Sequence, residues 1–266
     1  MDKNTKIMVK SPLVSVLMLT YNRAPYISEA INSVLSQTYR SLELIIIDDG
    51  SIDNTSLIVA SFNDSRIKYI QHHENRGLAI RRAESATLAK GDFIAILDSD
   101  DIWIDERKIA IQVAYMIAHL DCSIVGSFIN IINKNGVVVG NRKFCTVDSK
   151  IRKKILIRNQ FAHSSVLIRG SALKAVKGYA EIPFAEDLEL FLKIGKNSGF
   201  ANIPIFMTLY RLHDNNESSK RILFLTSVLR IVNRYKTVYP NSIFAIIKYK
   251  IYILSAKILN YLQWKG

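Results

Sequence analysis

The chain has 266 residues, 49% of them hydrophobic and 22% charged, a composition that excludes disordered and fibrous classes and leaves ample chain for a large core. Only two cysteines occur, Cys122 and Cys145. Neither belongs to a CxxC pair, so a disulfide framework or structural zinc is not expected. The net charge of +13 is uneven: residues 1–121 carry 13 basic and 16 acidic side chains, and residues 122–266 carry 23 and 7. A basic half of this kind suits a solvated surface, nucleic acid, anionic lipid headgroups or a phosphorylated substrate, and composition does not choose among them. The opening MDKNTKIMVKSP has lysines but no apolar run behind them, so no secretory signal is read and a cytoplasmic setting is expected.

In chain order, Val14 to Leu19 is a short apolar run of strand length, and from Pro25 the residues Ile27, Ala30, Ile31, Val34 and Leu35 share one helical face. Leu42 to Ile47 predicts a second buried strand, stopped by Asp48-Asp49-Gly50. A helix from Asn54, a strand over Arg66 to Gln71, a helix over Leu78 to Ala89, a strand over Phe93 to Leu97 and a helix over Glu106 to His119 follow. Continuous apolar strands alternating with helices predict an α/β fold with a mostly parallel sheet covered on both faces. Beyond residue 120, Ser123 to Ile132 and Val137 to Val139 flank Asn135-Gly136 and predict an antiparallel hairpin at a mixed sheet edge. Ser164 to Ile168 and Ile203 to Leu212 read as strands and Glu186 to Asn197 as a helix. From Arg221 onward the chain reads as helical and has no Asp or Glu.

Ligands of open parallel sheets bind beyond the carboxyl ends of the strands. Three such ends are polar: Thr20-Tyr21-Asn22-Arg23, Asp48-Asp49-Gly50-Ser51 and Asp98-Ser99-Asp100-Asp101. Each alone is explained by a loop, a turn or a helix cap. Together at one sheet edge they suggest a ligand. Asp98 and Asp100 are hard oxygen donors suited to Mg²⁺ or Mn²⁺ that keeps positions open for substrate phosphates. Tyr21 offers a flat face to a base or sugar, and Asp49 a carboxylate for a base N–H. Arg81 and Arg82 either reach phosphate oxygens or line a solvated helix face. Neither GxGxxG after the first strand nor GxxxxGK[ST] occurs, which leaves phosphate to metal and side chains.

These segments resemble the family 2 glycosyltransferases of the GT-A fold. The similarity extends to Phe184-Ala185-Glu186-Asp187-Leu188 and Tyr210-Arg211-Leu212-His213, and covers residues 12–219 in the family's order. It implies an inverting transfer of a sugar from a nucleotide sugar, usually UDP-linked, to an acceptor hydroxyl. By this resemblance Thr20, Tyr21, Arg23, Asp49, Arg82, Asp98 and Ser99 bind the nucleotide sugar. Asp100 and His213 hold Mn²⁺ or Mg²⁺, and Asp187, with Glu186 beside it, is the catalytic base. The family usually has Ala-Arg-Asn where this chain has Arg81-Arg82-Ala83, a departure at the turn that would meet the donor. His163 before Ser164-Ser165 is a candidate for lining an acceptor pocket, and Trp103 is either a core wedge or a sugar platform.

Residues 220–266 form the expected helical extension, with nine Lys or Arg and no acid. Ile243 to Leu262 is apolar but interrupted by lysines, which argues against a membrane span. Two fates remain for it: an interfacial helix on the cytoplasmic face of the membrane, or packing on the catalytic domain. The expected partners are a nucleotide-sugar donor and a glycan or lipid-linked glycan acceptor of surface polysaccharide synthesis. Transfer to a polyprenyl phosphate is the rival within enzymes. A nucleic-acid-binding protein is the rival outside them, disfavoured because aromatics are not interleaved with the arginines.

Overall fold

The computed structural model describes residues 11–182, 184–213 and 220–265, with side chains to residue 260. The last part of the expected catalytic segment, residues 214–219, lies outside them. The first half alternates β1 (Val14–Thr20), α1 (Ile27–Leu35), β2 (Leu42–Asp48), α2 (Thr55–Ala60), β3 (Ile67–Gln71), α3 (Leu78–Leu88) and β4 (Phe93–Ile96). There follow β5 (Ile102–Trp103), α4 (Lys108–Ala118), β6 (Cys122–Ile132), β7 (Val138–Arg142), α5 (Asp148–Lys154), β8 (Leu167–Arg169), α6 (Gly170–Ala175), α7 (Glu186–Gly195), β9 (Gly199–Arg211), α8 (Arg221–Tyr235) and α9 (Ser242–Lys265).

The strands form one sheet in the order β3-β2-β1-β4-β8-β6-β9-β5. β3, β2, β1 and β4 are mutually parallel; β8 runs antiparallel between β4 and β6, and β6 and β9 pair in parallel. Period-2 alternation feeds two cores. Val14, Val16, Met18, Leu44 and Ile46 pack with α1 and α4. Leu17, Leu19, Ile45 and Ile47 share the other core with α7 and α8. This is why VSVLML and LELIII are almost wholly apolar: neither side of the sheet meets water, and their two polar residues, Ser15 and Glu43, hydrogen-bond each other.

The expected hairpin forms: β7 pairs antiparallel with β6 and, among the described strands, with no other, so it is an edge of the mixed sheet. Other boundaries differ. The strand read from Ser164 begins at Leu167, because His163–Ser165 makes a 3-10 turn. The two-residue β5 and the short α5 and α6 escaped the periodicity, being too brief to show one.

The C-terminal helices pack on the domain. Leu225, Val228, Ile231 and Val232 of α8 join the core, with Ala245 and Tyr249 of α9. The Tyr235 hydroxyl bonds the Glu189 carboxylate at 3.0 Å, Tyr239 donates to the Leu192 carbonyl at 2.8 Å, and Tyr249 to the Ile157 carbonyl at 3.1 Å. Among the described residues no helix is long and apolar enough to cross a membrane.

Candidate functional site

Parallel register aligns the carboxyl ends of the first strands: Thr20 is opposite Asp48, and Asp48 opposite Gln71. The loops after β1 and β2 are then tied together. Asn22 N–H donates to Ser51 Oγ and Ile52 N–H to Asn22 Oδ1, both at 2.9 Å. Asn22 adopts φ 51°, a left-handed conformation that Asn tolerates better than most residues. It leaves Tyr21 at the surface, 39% exposed, while Thr20 is buried with its Oγ1 lacking a hydrogen-bond partner.

Asp49 is heavily engaged. Its carboxylate accepts the N–H groups of Arg76 at 2.9 Å and Gly77 at 2.8 Å, and Arg81 Nε at 2.7 Å. This organises the turn into α3, where Gly77 has φ +93°, a conformation glycine adopts without strain. Each carboxylate oxygen has two lone pairs, so Oδ2 keeps room for one more donor. The neighbouring arginines diverge: Arg81 goes to Asp49, and Arg82 points inward to Asp98. Both are buried, so neither lines a solvated helix face.

Arg82 lies between carboxylates. Its Nη2 donates to Asp98 Oδ1, its Nε is 3.9 Å from Glu186 Oε1, and Nε and Nη1 make no hydrogen bond. Burial is the largest influence on Asp98 and raises its pKa, but the Arg82 charge, together with the hydrogen bonds from Arg82 and Ser164, brings the carboxyl below its ordinary range. Behind this pair, His163 bonds the Tyr179 hydroxyl at 2.8 Å; burial and the Arg82 charge push its pKa down to about 3, so it is neutral. His163 is a buried packing residue here, and Trp103, 3% exposed with its Nε1 on the Ser164 carbonyl at 2.7 Å, belongs to the core.

The next two aspartates part ways. Asp100 Oδ2 receives Arg23 Nε at 3.1 Å and lies 2.9 Å from His213 Nε2, so the two residues expected to hold a metal come together from opposite ends of the domain. Asp101 turns inward, where Ser164 Oγ and the Arg211 N–H satisfy it. Burial and the charges of Asp100 and Asp98 push its pKa well above the usual carboxylate range. Ser99, between them, is buried. Arg211 clamps the loop through the Asp100 carbonyl at 2.8 Å and Glu29 at 2.6 Å. Among the described residues no set of three or more His, Cys, Asp or Glu could hold a metal. Asp100 provides a hard carboxylate oxygen and His213 an imidazole nitrogen, a pair that suits Mn²⁺ better than Mg²⁺, with substrate phosphates and water completing the coordination.

Phe184 and Ala185, at φ 63° and 59°, are consecutive non-glycine residues in left-handed backbone immediately before α7. Strain of this kind persists only where its surroundings enforce it. It presents Asp187 in the first turn of α7, half-buried, with Oδ2 accepting Asn159 Nδ2 at 2.9 Å. Burial raises the Asp187 pKa; the Leu188 N–H opposes this and the Asp98 charge adds to it.

Sequence reasoning missed Asn159, Tyr179 and Ser164, whose roles arise only from packing. Arg211 lay inside the Tyr-Arg-x-His segment without a role of its own.

Comparisons with known proteins bear on the family and the fold. The description "Glycosyl transferase family 2" matches residues 15–181. The Escherichia coli UDP-Glc:alpha-D-GlcNAc-diphosphoundecaprenol beta-1,3-glucosyltransferase WfgD is 35% identical over 79% of this chain and 81% of its own. The putative glycosyltransferase EpsE of Bacillus subtilis is 32% identical over 83% and 80%. Among solved structures, S. aureus TarS in complex with UDP-GlcNAc superposes with a TM-score of 0.72 at 21% identity, over 91% of this chain and 73% of that one. The mannosyltransferase PcManGT from Pyrobaculum calidifontis, in complex with GDP-Man and Mn2+, gives 0.67 at 19%, over 92% and 70%. The chain belongs to glycosyl transferase family 2, and it is a sugar transferase with the GT-A fold.

Proposed function

We propose that the protein is an inverting, divalent-metal-dependent glycosyltransferase that moves a sugar from a nucleotide sugar, of which UDP-linked donors are the first choice, to a hydroxyl of a lipid-linked glycan. The observation that supports this reading is a linked set of contacts: Arg23 joins the Tyr21 carbonyl to the Asp100–His213 pair, and Arg82 joins Asp98 to Glu186, the neighbour of the base candidate Asp187. The relative WfgD, named for UDP-Glc and a diphosphoundecaprenol acceptor, supports the donor and acceptor classes.

Inversion needs a carboxylate beside the acceptor hydroxyl, on the face of the sugar away from the departing diphosphate. Asp187 would take the hydroxyl proton as the acceptor oxygen forms its bond to the anomeric carbon and the bond to the diphosphate breaks. Its raised pKa brings it nearer the working range of a general base, and Asn159 fixes its orientation. Tyr21 would stack on the base. The remaining lone pair of Asp49 would meet a polar group of the donor, while buried Arg82 would act through Asp98, which it holds in place. Asp100 and His213 would hold Mn²⁺ or Mg²⁺, which supplies positive charge to the leaving diphosphate.

The test is calorimetric titration with UDP in the presence of Mn²⁺, then with EDTA, for the wild type and Asp100→Ala. Binding that needs the metal and is lost in the variant is expected. Equal binding in EDTA would remove the metal from the reading, and binding of GDP or dTDP but not UDP would reassign the nucleotide.

A further inference from the structure

α9 has two apolar sides. Ala245, Tyr249 and Ala256 are buried against the domain. Ile243, Phe244, Ile247, Ile251, Leu254 and Ile258 are between 50% and 71% exposed. At ~100° per residue these six fall within an arc of about 100°, on the side of the helix opposite the buried line. Single exposed aliphatic residues are ordinary, but a continuous stripe along some four turns needs a covering phase. Lys250 and Lys257 border one margin of the stripe. Lys248 borders the other, its Nζ held on the Ile157 carbonyl at 2.6 Å and over the rings of Tyr249 and Tyr252.

Charge decides the occupant. Residues 220–266 hold nine Lys or Arg and no Asp or Glu, so a second copy laid on this face would bring like charge against like. An anionic bilayer surface is complementary: its acyl boundary takes the aliphatic stripe, and its headgroups take lysines whose stems lie along apolar surface. The helix cannot span a membrane, which leaves it lying in the plane. We propose that α9 docks the protein on an anionic lipid bilayer through the Ile243–Ile258 stripe, with the opposite side of the same helix fastened to the sugar-transferring domain. The proposal goes beyond the function argued above and holds whatever the donor or acceptor.

The test uses the full chain and flotation with phosphatidylcholine vesicles, with and without phosphatidylglycerol. The wild type should float with the anionic vesicles and be released by salt, because part of the attraction is screened. The triple variant Ile247→Ser, Ile251→Ser, Leu254→Ser should partition about tenfold less or worse with its melting temperature unchanged, since these side chains make no core contacts. Lys250→Gln with Lys257→Gln should lower the salt concentration that releases the protein. Absence of flotation by the wild type would overturn the proposal, as would flotation indifferent to phosphatidylglycerol and salt, or full binding by the folded serine variant. So would a wild-type dimer in analytical ultracentrifugation that the serine variant turns into monomer, because the stripe would then be covered by a second copy.

Discussion

Replacing Arg82 by Met would remove one buried positive charge and keep most of the side-chain volume. It would leave Asp98 and Glu186 facing each other without the guanidinium that now lies against both. Breaking a buried ion pair by deleting one partner costs about 3–5 kcal/mol. Asp98 keeps 28% of its side chain accessible to solvent, which puts the expected cost near the low end, roughly 3 kcal/mol. At about 2–4 °C per kcal/mol for a chain of this size class, the melting temperature should fall by roughly 6–12 °C. Adding Asp98→Asn should restore much of the loss, because a neutral pair is often as stable as the ionic one. Because Arg82 holds the Asp98 carboxyl below its ordinary range, its stabilisation is present above the unfolded pKa of about 3.9 and is lost as pH falls through the folded value. The gap between wild type and Arg82→Met should therefore narrow in acid. Denaturant and thermal unfolding of the four members of the cycle, at neutral and acidic pH, make the measurement. A single variant within about 1 kcal/mol of wild type, or a double variant as unstable as the sum of the singles, would refute the reasoning.

Two further outcomes are expected. Asp187→Asn should slow sugar transfer by about 10²–10⁴-fold without lowering stability, since the Asn side chain can still accept from Asn159. Burial raises the folded pKa of Asp187, so its ionised form costs stability as pH rises through that value, and kcat/KM of the wild type should rise over the same interval. A variant rate within a few-fold of wild type across the pH profile would mean that the acceptor is already an anion, as in transfer to a polyprenyl phosphate. Gly195→Ala would place a Cβ 1.8 Å from Phe200 Cζ, and the overpacking should cost about 1–3 kcal/mol or more. Its denaturant midpoint should recover partly when Phe200→Leu is added.

The parallel half of the sheet was legible because strands buried on both sides need mostly apolar runs, and Leu42 to Ile47 is one with Glu43 as its single polar residue. The polar strand ends were legible because the apolar run stops there, although Asp48 itself closes β2 as a buried residue. The divergence of Arg81 and Arg82 was not, because adjacent helical residues differ by about 100° in direction and only packing tells which one meets Asp49. Asp100 and His213 are separated by 113 positions, and no local pattern announces a contact across that distance; only the resemblance paired them. Asn159 and Tyr179 have no signature in periodicity, since the contacts they make, with Asp187 and His163, are defined by where loops meet. The tail was read as two alternatives, membrane or domain. Helix α9 packs one apolar side on the domain and leaves another exposed, a division invisible to a composition count that treats the whole segment as apolar.

The site is also ordered in time. Tyr21, Asp49 and Asp98 belong to the β1 to β4 segment and the loop just after it, whose strands neighbour one another early in the chain, whereas the Arg211 clamp ends β9 and His213 follows it, and β9 must thread beside β6 and reach β5. At a synthesis rate of about 5–20 residues per second, some 6–20 s separate the emergence of Asp100 from that of its partner. The α9 stripe emerges later still. A ribosome-bound chain therefore presents Tyr21, Asp49 and Asp98 first, gains the Ser164 contact to Asp98 next, then the Asp100–His213 pair, and exposes the α9 stripe last.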